Sequence, residues 1–190
     1  ELQPGETLLV HGAGGGVGLA AVDIGREMGA RVIATARGEE KAKVLRDYGA
    51  EAVIDYTKGP FKEQVKDLTN GRGADVIYDP VGGDVFDQSL RCISWGGRLL
   101  VVGFASGAIP SVPANLPLLK GCAVVGVSFG GFRKQQPEAV QALHQTLLEW
   151  LAGGRLKPMV SLRYPLERTS DAINAMTERR SIGRVIVNIR

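Results

Sequence analysis

The chain has 190 residues, of which 44% are hydrophobic and 23% charged, which is typical of a globular protein with one large core. The net charge is only +3 and the two signs are mixed, so the sequence has no basic block of the kind that follows a nucleic-acid backbone. Two cysteines, Cys92 and Cys122, are too few for a disulfide framework or a cysteine-rich metal site, and no apolar stretch approaches a membrane span.

Short apolar runs alternate with amphipathic stretches in the first half of the chain. The runs at 7–11, 31–36, 52–55 and 74–79 predict four strands, and 16–28, 39–48, 61–69 and 85–93 predict the helices that follow them. Gly29 and Gly49 end the first two helices. A fifth strand is predicted at 97–104, where a continuous apolar run favours a parallel sheet covered on both faces.

The second half continues this alternation before its character changes. A short helix at 113–119, a sixth strand at 122–127 and a long helix at 137–151 are predicted, the last with an apolar stripe. Residues 1–154 are therefore predicted to form an α/β domain, a doubly wound parallel six-stranded sheet with helices on both faces. Residues 155–190, with predicted strands at 158–162 and 184–189 around a helix at 166–179, are expected to be a short C-terminal appendage that leaves this sheet.

A glycine-rich loop at 12–18 lies directly between the first strand and the first helix. A helix N-terminus exposes unpaired N–H groups and the positive end of the helix dipole, which attract a pyrophosphate. Gly15 would allow close approach of the backbone to that group, and Gly18 would allow close packing of helix on strand, although Ala13 replaces the usual first glycine. This placement predicts a dinucleotide-binding Rossmann domain, the alternative being a plain glycine-rich turn. The predicted binding residues are Ala13, Gly14, Gly15, Gly16 and Val17.

The end of the second strand indicates which dinucleotide is bound. Domains that bind NAD usually carry an acidic residue there for the ribose 2′-hydroxyl, as S-adenosylmethionine methyltransferases also do. Here the strand ends without a carboxylate and Arg37 follows, with Lys41 four residues further on. Guanidinium and ammonium groups suit a 2′-phosphate, so the sequence predicts NADPH. The alternative is that both cations belong to a solvated face.

Ligands of open α/β sheets lie beyond the carboxyl ends of the strands, so the nicotinamide is expected at the ends of strands 4, 5 and 6. Val81 is predicted to form a wall of its site. The backbone at Gly103, Phe104, Ala105 and Val127 is predicted to bind the carboxamide, with Phe129 nearby. Asp79 is expected to cap a turn before Pro80. No catalytic residue is predicted, because the sequence offers no constellation of a proton donor or a nucleophile. The absence of a Tyr-x-x-x-Lys pair argues against the short-chain reductases, and the sequence has no Cys/His cluster for zinc.

The motifs in this order resemble those of the medium-chain dehydrogenase/reductase superfamily, most closely its zinc-independent quinone oxidoreductase (zeta-crystallin-like) branch. The similar segments are 10–18, 31–36, 78–83 and 183–187. This resemblance implies hydride transfer from NADPH to a quinone or an enone, and a role for Lys41 and Tyr56 beside the 2′-phosphate. It also implies a GroES-like catalytic domain to which residues 155–190 would return. Because the chain begins with Glu1, we expect a fragment that binds cofactor but has negligible turnover alone.

Two other functions fit the same motifs. One is the enoyl reductase domain of a polyketide or fatty-acid synthase, and the other is a non-catalytic NADPH-binding protein. The expected partners are a small-molecule substrate and a second copy of the chain, paired through the apolar edge strand at 122–127, with no nucleic acid and no membrane. The expected location is the cytoplasm, or the mitochondrion if a longer parent carries an N-terminal signal.

Overall fold

A six-stranded parallel sheet forms the centre of the computed structural model, which describes residues 1–189. Its strands are β1 Thr7–Val10, β2 Arg31–Ala36, β3 Ala52–Asp55, β4 Ala74–Asp79, β5 Ile93–Val101 and β6 Ala123–Gly126. They lie in the order β3-β2-β1-β4-β5-β6, so the chain winds outward from β1 in one direction and then in the other. This arrangement confirms the predicted doubly wound sheet and places the carboxyl ends of β1 and β4 side by side.

Helices cover both faces of this sheet. They are α1 Gly16–Glu27, α2 Glu39–Asp47, α3 Phe61–Leu68, α4 Asp84–Cys92, α5 Asn115–Lys120, α6 Phe129–Gln135 and α7 Pro137–Ala152. One apolar core joins Phe61 of α3 and Phe86 of α4 to the sheet, and the other joins Val22 of α1 and Leu45 of α2 to the opposite face. Two cores on one sheet explain why the central strands are apolar at nearly every position.

Two predictions in the second half were wrong in their bounds or incomplete. The fifth strand begins at Ile93 and ends at Val101 instead of covering 97–104, because the chain passes through an irregularity around Gly96 and stays in the sheet. After β5 the backbone turns away, and Ala105 N–H donates to Pro80 O at 3.0 Å. Helix α6 was not predicted; the Ser128 hydroxyl caps it by accepting from Gly131 N–H.

The apolar stripe predicted on α7 packs less closely than expected. Of its four members at 140, 143, 147 and 151, only Val140 is buried. The neighbouring Leu148 keeps 60% of its surface exposed. Leu147 and Leu148 face Leu19 and Ile24 of α1 across an apolar cleft of about 460 Å³. The face between α1 and α7 is therefore open within the described residues.

The C-terminal segment forms a separate unit. Strands β7 Val160–Pro165 and β8 Arg184–Asn188 make a parallel pair of their own, with a 3-10 turn at Leu166–Arg168 and helix α8 at Thr169–Thr177 between them. The segment is attached to α1, where Lys157 N–H donates to the Asp23 carboxylate at 2.7 Å and Arg155 pairs with Glu27. It thus leaves the main sheet as predicted. No helix among residues 1–189 combines the length and apolar character needed to cross a membrane.

Candidate nucleotide-binding site

The loop between β1 and α1 presents free backbone donors at the carboxyl edge of the sheet. Gly15 N–H donates to Gly12 O at 3.0 Å, and the first helical bond runs from Leu19 N–H to Gly15 O. Gly16 faces Gly183 O through the isolated parallel bridge between Gly15 and Gly183. Helix geometry leaves the N–H groups of Val17 and Gly18 without an acceptor within residues 1–189. Since the positive end of the α1 dipole lies at the same place, the loop can hold an anionic group.

Two glycines of this loop differ in what surrounds them. A Cβ on Gly18 would lie 2.6 Å from Ala13 Cα, so only glycine allows α1 to approach the end of β1 this closely. A Cβ on Gly15 would meet nothing nearer than Gly12 O at 3.5 Å. The protein itself therefore requires Gly18, whereas the space beside Gly15 stays open, as an approaching pyrophosphate would need.

Cations converge beside this loop at the end of β2. The stem of Lys41 crosses Gly14, whose hypothetical Cβ would lie 2.8 Å from Lys41 Cδ. Lys41 Nζ donates to Arg179 O at 2.8 Å, and Arg179 Nη1 donates to Tyr56 Oη at 3.5 Å. Partial burial lowers the pKa of Lys41, and the charges of Arg179 and Arg37 lower it further. Three positive charges and a phenol hydroxyl thus surround one region next to the glycine loop.

Arg179 is the residue that the sequence analysis missed. It follows α8 in a segment that had been interpreted only as an appendage, 138 positions from Lys41. The adjacent basic pair Arg179–Arg180, close to the final strand, was the only signal in the sequence. The structure brings it to Lys41 because Gly183 N–H donates to Gly14 O at 2.9 Å, which fixes the C-terminal segment on the glycine loop.

The predicted nicotinamide end lies at the carboxyl ends of β4 to β6. Asp79 is buried, and its Oδ1 accepts from Val81 N–H at 2.8 Å and from Gly82 N–H at 3.0 Å, so it caps the turn as predicted. Burial raises the pKa of Asp79, and these two hydrogen bonds oppose that rise. Val81 is partly buried and approaches Gly12, which places it between the glycine loop and the ends of β4 and β5.

The predicted carboxamide donors are only partly available. Ala105 N–H donates to Pro80 O and Val127 N–H donates to Val101 O at 2.9 Å, so these two N–H groups already have an acceptor. The N–H groups of Gly103 and Phe104 have no acceptor among the described residues. Phe104 is exposed at this edge. Phe129 begins α6 instead of ending a strand, and its ring centroid lies 6.3 Å from that of His144 on α7.

His11 follows β1 but belongs to the core. Its side chain is fully buried, with Nδ1 3.1 Å from Thr35 Oγ1 and Nε2 2.8 Å from Ser89 Oγ. Burial lowers the pKa of His11 to about 3, which keeps the ring neutral. Within residues 1–189, no group of three or more His, Cys, Asp or Glu side chains is arranged to hold a metal ion.

Comparison with known proteins agrees with this geometry. Residues 16–145 match the family model described as "Zinc-binding dehydrogenase". The chain is 44% identical over its whole length to "Quinone oxidoreductase-like protein 2 homolog" of Nematostella vectensis, of which it covers 52%. It is 32% identical over 99% of its length to "Mycocerosic acid synthase-like polyketide synthase" of Mycobacterium tuberculosis, of which it covers 9%.

A solved structure shows the same fold. The structure of Escherichia coli quinone oxidoreductase complexed with NADPH superposes with a TM-score of 0.89 at 31% identity, covering 99% of this chain and 59% of that one. The chain spans about half the length of the quinone oxidoreductase-like relatives that it matches.

Proposed function

Because this chain belongs to the zinc-binding dehydrogenase family, in the quinone oxidoreductase branch of the medium-chain dehydrogenase/reductases, we propose that it is the NADPH-binding half of a reductase. The parent enzyme would transfer hydride from NADPH to a quinone or an activated alkene. The observation that carries this proposal is the convergence of Lys41, Arg179, Arg37 and Tyr56 beside a glycine loop with free N–H groups.

The two phosphate-bearing parts of the cofactor would occupy adjacent regions. The pyrophosphate would accept a hydrogen bond from Val17 N–H, while Gly15 leaves room for it. The 2′-phosphate would lie among the Lys41, Arg37 and Arg179 cations, where charge-assisted hydrogen bonds distinguish it from a hydroxyl. We assign Arg179 to this group although the sequence analysis did not.

The nicotinamide end of the cofactor would lie at the carboxyl ends of β4 and β5. NADPH supplies the hydride when it is bound, and the side chains here would orient its ring and exclude water. Val81 would pack against one face of the ring, the N–H groups of Gly103 and Phe104 would bind its carboxamide, and the exposed Phe104 ring would cover it. We place the catalytic groups, and a zinc-independent reaction, in the part of the parent enzyme that this chain does not include.

The test is a calorimetric titration of the chain with NADPH and with NADH. Each charge-assisted hydrogen bond to a phosphate is worth about 1.5–3 kcal/mol, so Lys41→Ala or Arg179→Ala should weaken NADPH binding by about 10- to 100-fold. Arg37→Ala should act in the same direction. NADH affinity should change little in all three variants, because NADH has no 2′-phosphate.

Lys43→Ala is the matched control, since Lys43 is an exposed lysine on the same helix α2. Its NADPH affinity should equal that of the unmodified chain. Equal affinities for NADPH and NADH in the unmodified chain would contradict the 2′-phosphate assignment. Loss of affinity for both cofactors in Lys41→Ala would show that this side chain supports the loop instead of selecting the cofactor.

A second function is favoured by the similarity to the polyketide synthase, namely an enoyl reductase domain that reduces an acyl thioester. It would use the same NADPH site, so the two functions differ in the substrate-binding half. Reduction of an enoyl thioester by the full-length parent, without reduction of a free quinone, would favour this function. NADPH binding without turnover of either substrate would favour a non-catalytic protein.

Two exposed surfaces, the outer edge of β6 and the cleft between α1 and α7, suggest what this chain would bind. We propose that β6 pairs with β6 of a second copy, because Val125 on β6 and Val127 just after it are exposed and the outer edge of β6 has no partner among the described residues. We propose that residues 155–190 return to a catalytic domain, which would cover the apolar cleft between α1 and α7. A cytoplasmic location, or a mitochondrial one for a parent with a signal, is proposed with this function.

A further inference from the structure

A second basic cavity lies at the opposite end of the sheet from the glycine loop. Its volume is about 200 Å³, and it opens where β4 and β5 begin, between the last turns of α3, α4 and α5. Four cations line it: Lys66, Arg72, Arg91 and Lys120. Cys92 also lines it, but its thiol is buried and donates to Ser89 O, and burial raises the pKa of this thiol to about 12, so it is an inert part of the wall.

Helix termini explain part of this charge. Lys66, Arg91 and Lys120 each lie in the last turn of a helix, where a cation stabilises the negative end of the helix dipole. That effect accounts for one cation at each helix end. These helices precede neighbouring parallel strands, so their last turns meet at one edge of the sheet, but helix termini do not account for Arg72, which lies in a loop.

Nearby carboxylates neutralise only two of the four cations. Asp75 accepts from Arg72 at 3.2 Å and also from Ser94 Oγ and Thr7 N–H, and Glu63 lies 3.9 Å from Lys66 Nζ. Within residues 1–189, neither Arg91 nor Lys120 has a carboxylate within 4.0 Å. The cavity therefore carries uncompensated positive charge.

An exposed indole stands at the mouth of this cavity. Trp95 keeps 81% of its surface exposed, and its ring lies over Gly121, where a Cβ would come within 2.9 Å of the indole. Gly96 N–H donates to Gly121 O at 2.9 Å, which fixes the loop that carries Trp95. A flat aromatic surface beside cations is suited to stacking with a planar ring.

From these observations we propose that the cavity binds a nucleoside monophosphate, with its phosphate between Arg91, Lys120 and Arg72 and its base stacked on Trp95. The cavity is smaller than the roughly 300–1,000 Å³ of sites that enclose a whole small molecule, so it holds the anionic group and leaves the base at the surface. This site is independent of the dinucleotide site, which lies beyond the carboxyl ends of the same strands.

Trp95 provides a direct measurement. The chain has two tryptophans, so Trp150→Phe leaves Trp95 as the only indole. Titration of this variant with AMP should quench Trp95 fluorescence to saturation, and inorganic pyrophosphate should reverse the change. Arg91→Gln or Lys120→Gln should weaken AMP binding by about tenfold or more, because each removes a charge-assisted hydrogen bond to the phosphate.

Matched variants distinguish this site from simpler causes. Lys134→Gln removes a cation from the last turn of α6, outside the cavity, and should leave AMP affinity unchanged. Lys41→Ala, in the dinucleotide site, should also leave the Trp95 signal unchanged. The proposal is overturned if AMP gives no saturable change at millimolar concentration, if adenosine binds as well as AMP, or if Lys41→Ala removes the signal. Thermal melts of each variant confirm that it is folded.

Discussion

Replacement of His11 tests how the end of β1 is built. The Ser89 hydroxyl donates to Val85 O at 2.7 Å, so it accepts from His11 Nε2–H, and Nδ1 is left to accept from the Thr35 hydroxyl. The ring also packs against Phe61, with 4.7 Å between ring centroids. This arrangement uses a neutral imidazole. His11→Gln keeps a donor and an acceptor but cannot take up a proton between neutral and mildly acidic pH.

The size of the effect follows from the two states of the imidazole. Burial lowers the pKa of His11 from 6.5, its ordinary value, to about 3 in the folded chain. Below pH 6.5 the unfolded chain therefore takes up a proton that the folded chain does not. Stability is greatest above that value and is lost as the pH falls towards about 3, by about 1.4 kcal/mol for each pH unit. Between about pH 7 and about pH 5 the free energy of unfolding should fall by about 2 kcal/mol from this one group.

Urea unfolding at the two pH values measures this loss. We expect the unmodified chain to lose about 2 kcal/mol more on acidification than His11→Gln, even if His11→Gln starts about 1–3 kcal/mol less stable at neutral pH. Asp79 and the other carboxylates are common to both proteins, so the difference isolates His11. His144→Gln, which changes the chain's other histidine, should keep the full loss. Equal losses in His11→Gln and the unmodified chain would refute a neutral buried imidazole.

Two further predictions concern the glycine loop and the sheet edge. Gly18→Ala should lower the free energy of unfolding by about 2–3 kcal/mol, because its Cβ would collide with Ala13 Cα. Gly15→Ala should fold normally, since Gly15 has extended backbone angles and open space, yet bind NADPH at least about tenfold more weakly in the calorimeter. Sedimentation velocity should show a dimer that Val125→Lys converts to a monomer and that Ile173→Lys, an exposed change on α8, leaves intact. A monomeric unmodified chain at tens of micromolar would contradict pairing through β6.

Local patterns predicted the first half of the fold almost to the residue. The predicted bounds of β2, β3 and β4 are the observed ones, because each strand is a short apolar run between polar residues or glycines. The start of β5 was wrong, because Gly96 and Gly97 resemble a turn while the strand passes through them with an irregular register. Helix α6 was not predicted, because Phe129-Gly130-Gly131 has no helical periodicity. The only signal for this helix was Ser128, which caps it.

In the candidate site, too, residues connected by local contacts were predicted from the sequence, whereas a residue brought in by a distant contact was not. The glycine loop, Arg37 and Lys41 follow from residues within one βαβ unit, where position relative to the strand and helix carries the chemistry. The role of Arg179 depends on a contact between residues 138 positions apart, and no periodicity within the chain encodes it. Gly103 N–H has no acceptor among the described residues, whereas the N–H groups of Ala105 and Val127 do. This difference depends on tertiary contacts of the backbone, which local sequence patterns do not reveal.

The C-terminal segment forms its own small sheet, but it also contacts residues that we propose bind the nucleotide. Strands β7 and β8 make a sheet of their own. Yet Gly183 N–H binds Gly14 O, the stem of Arg184 packs beside Gly16, and Arg179 O accepts from Lys41. Residues 179–184 therefore contact both the glycine loop and Lys41, the cation that we propose binds the 2′-phosphate. A shift of this segment would therefore move the glycine loop and Lys41 together.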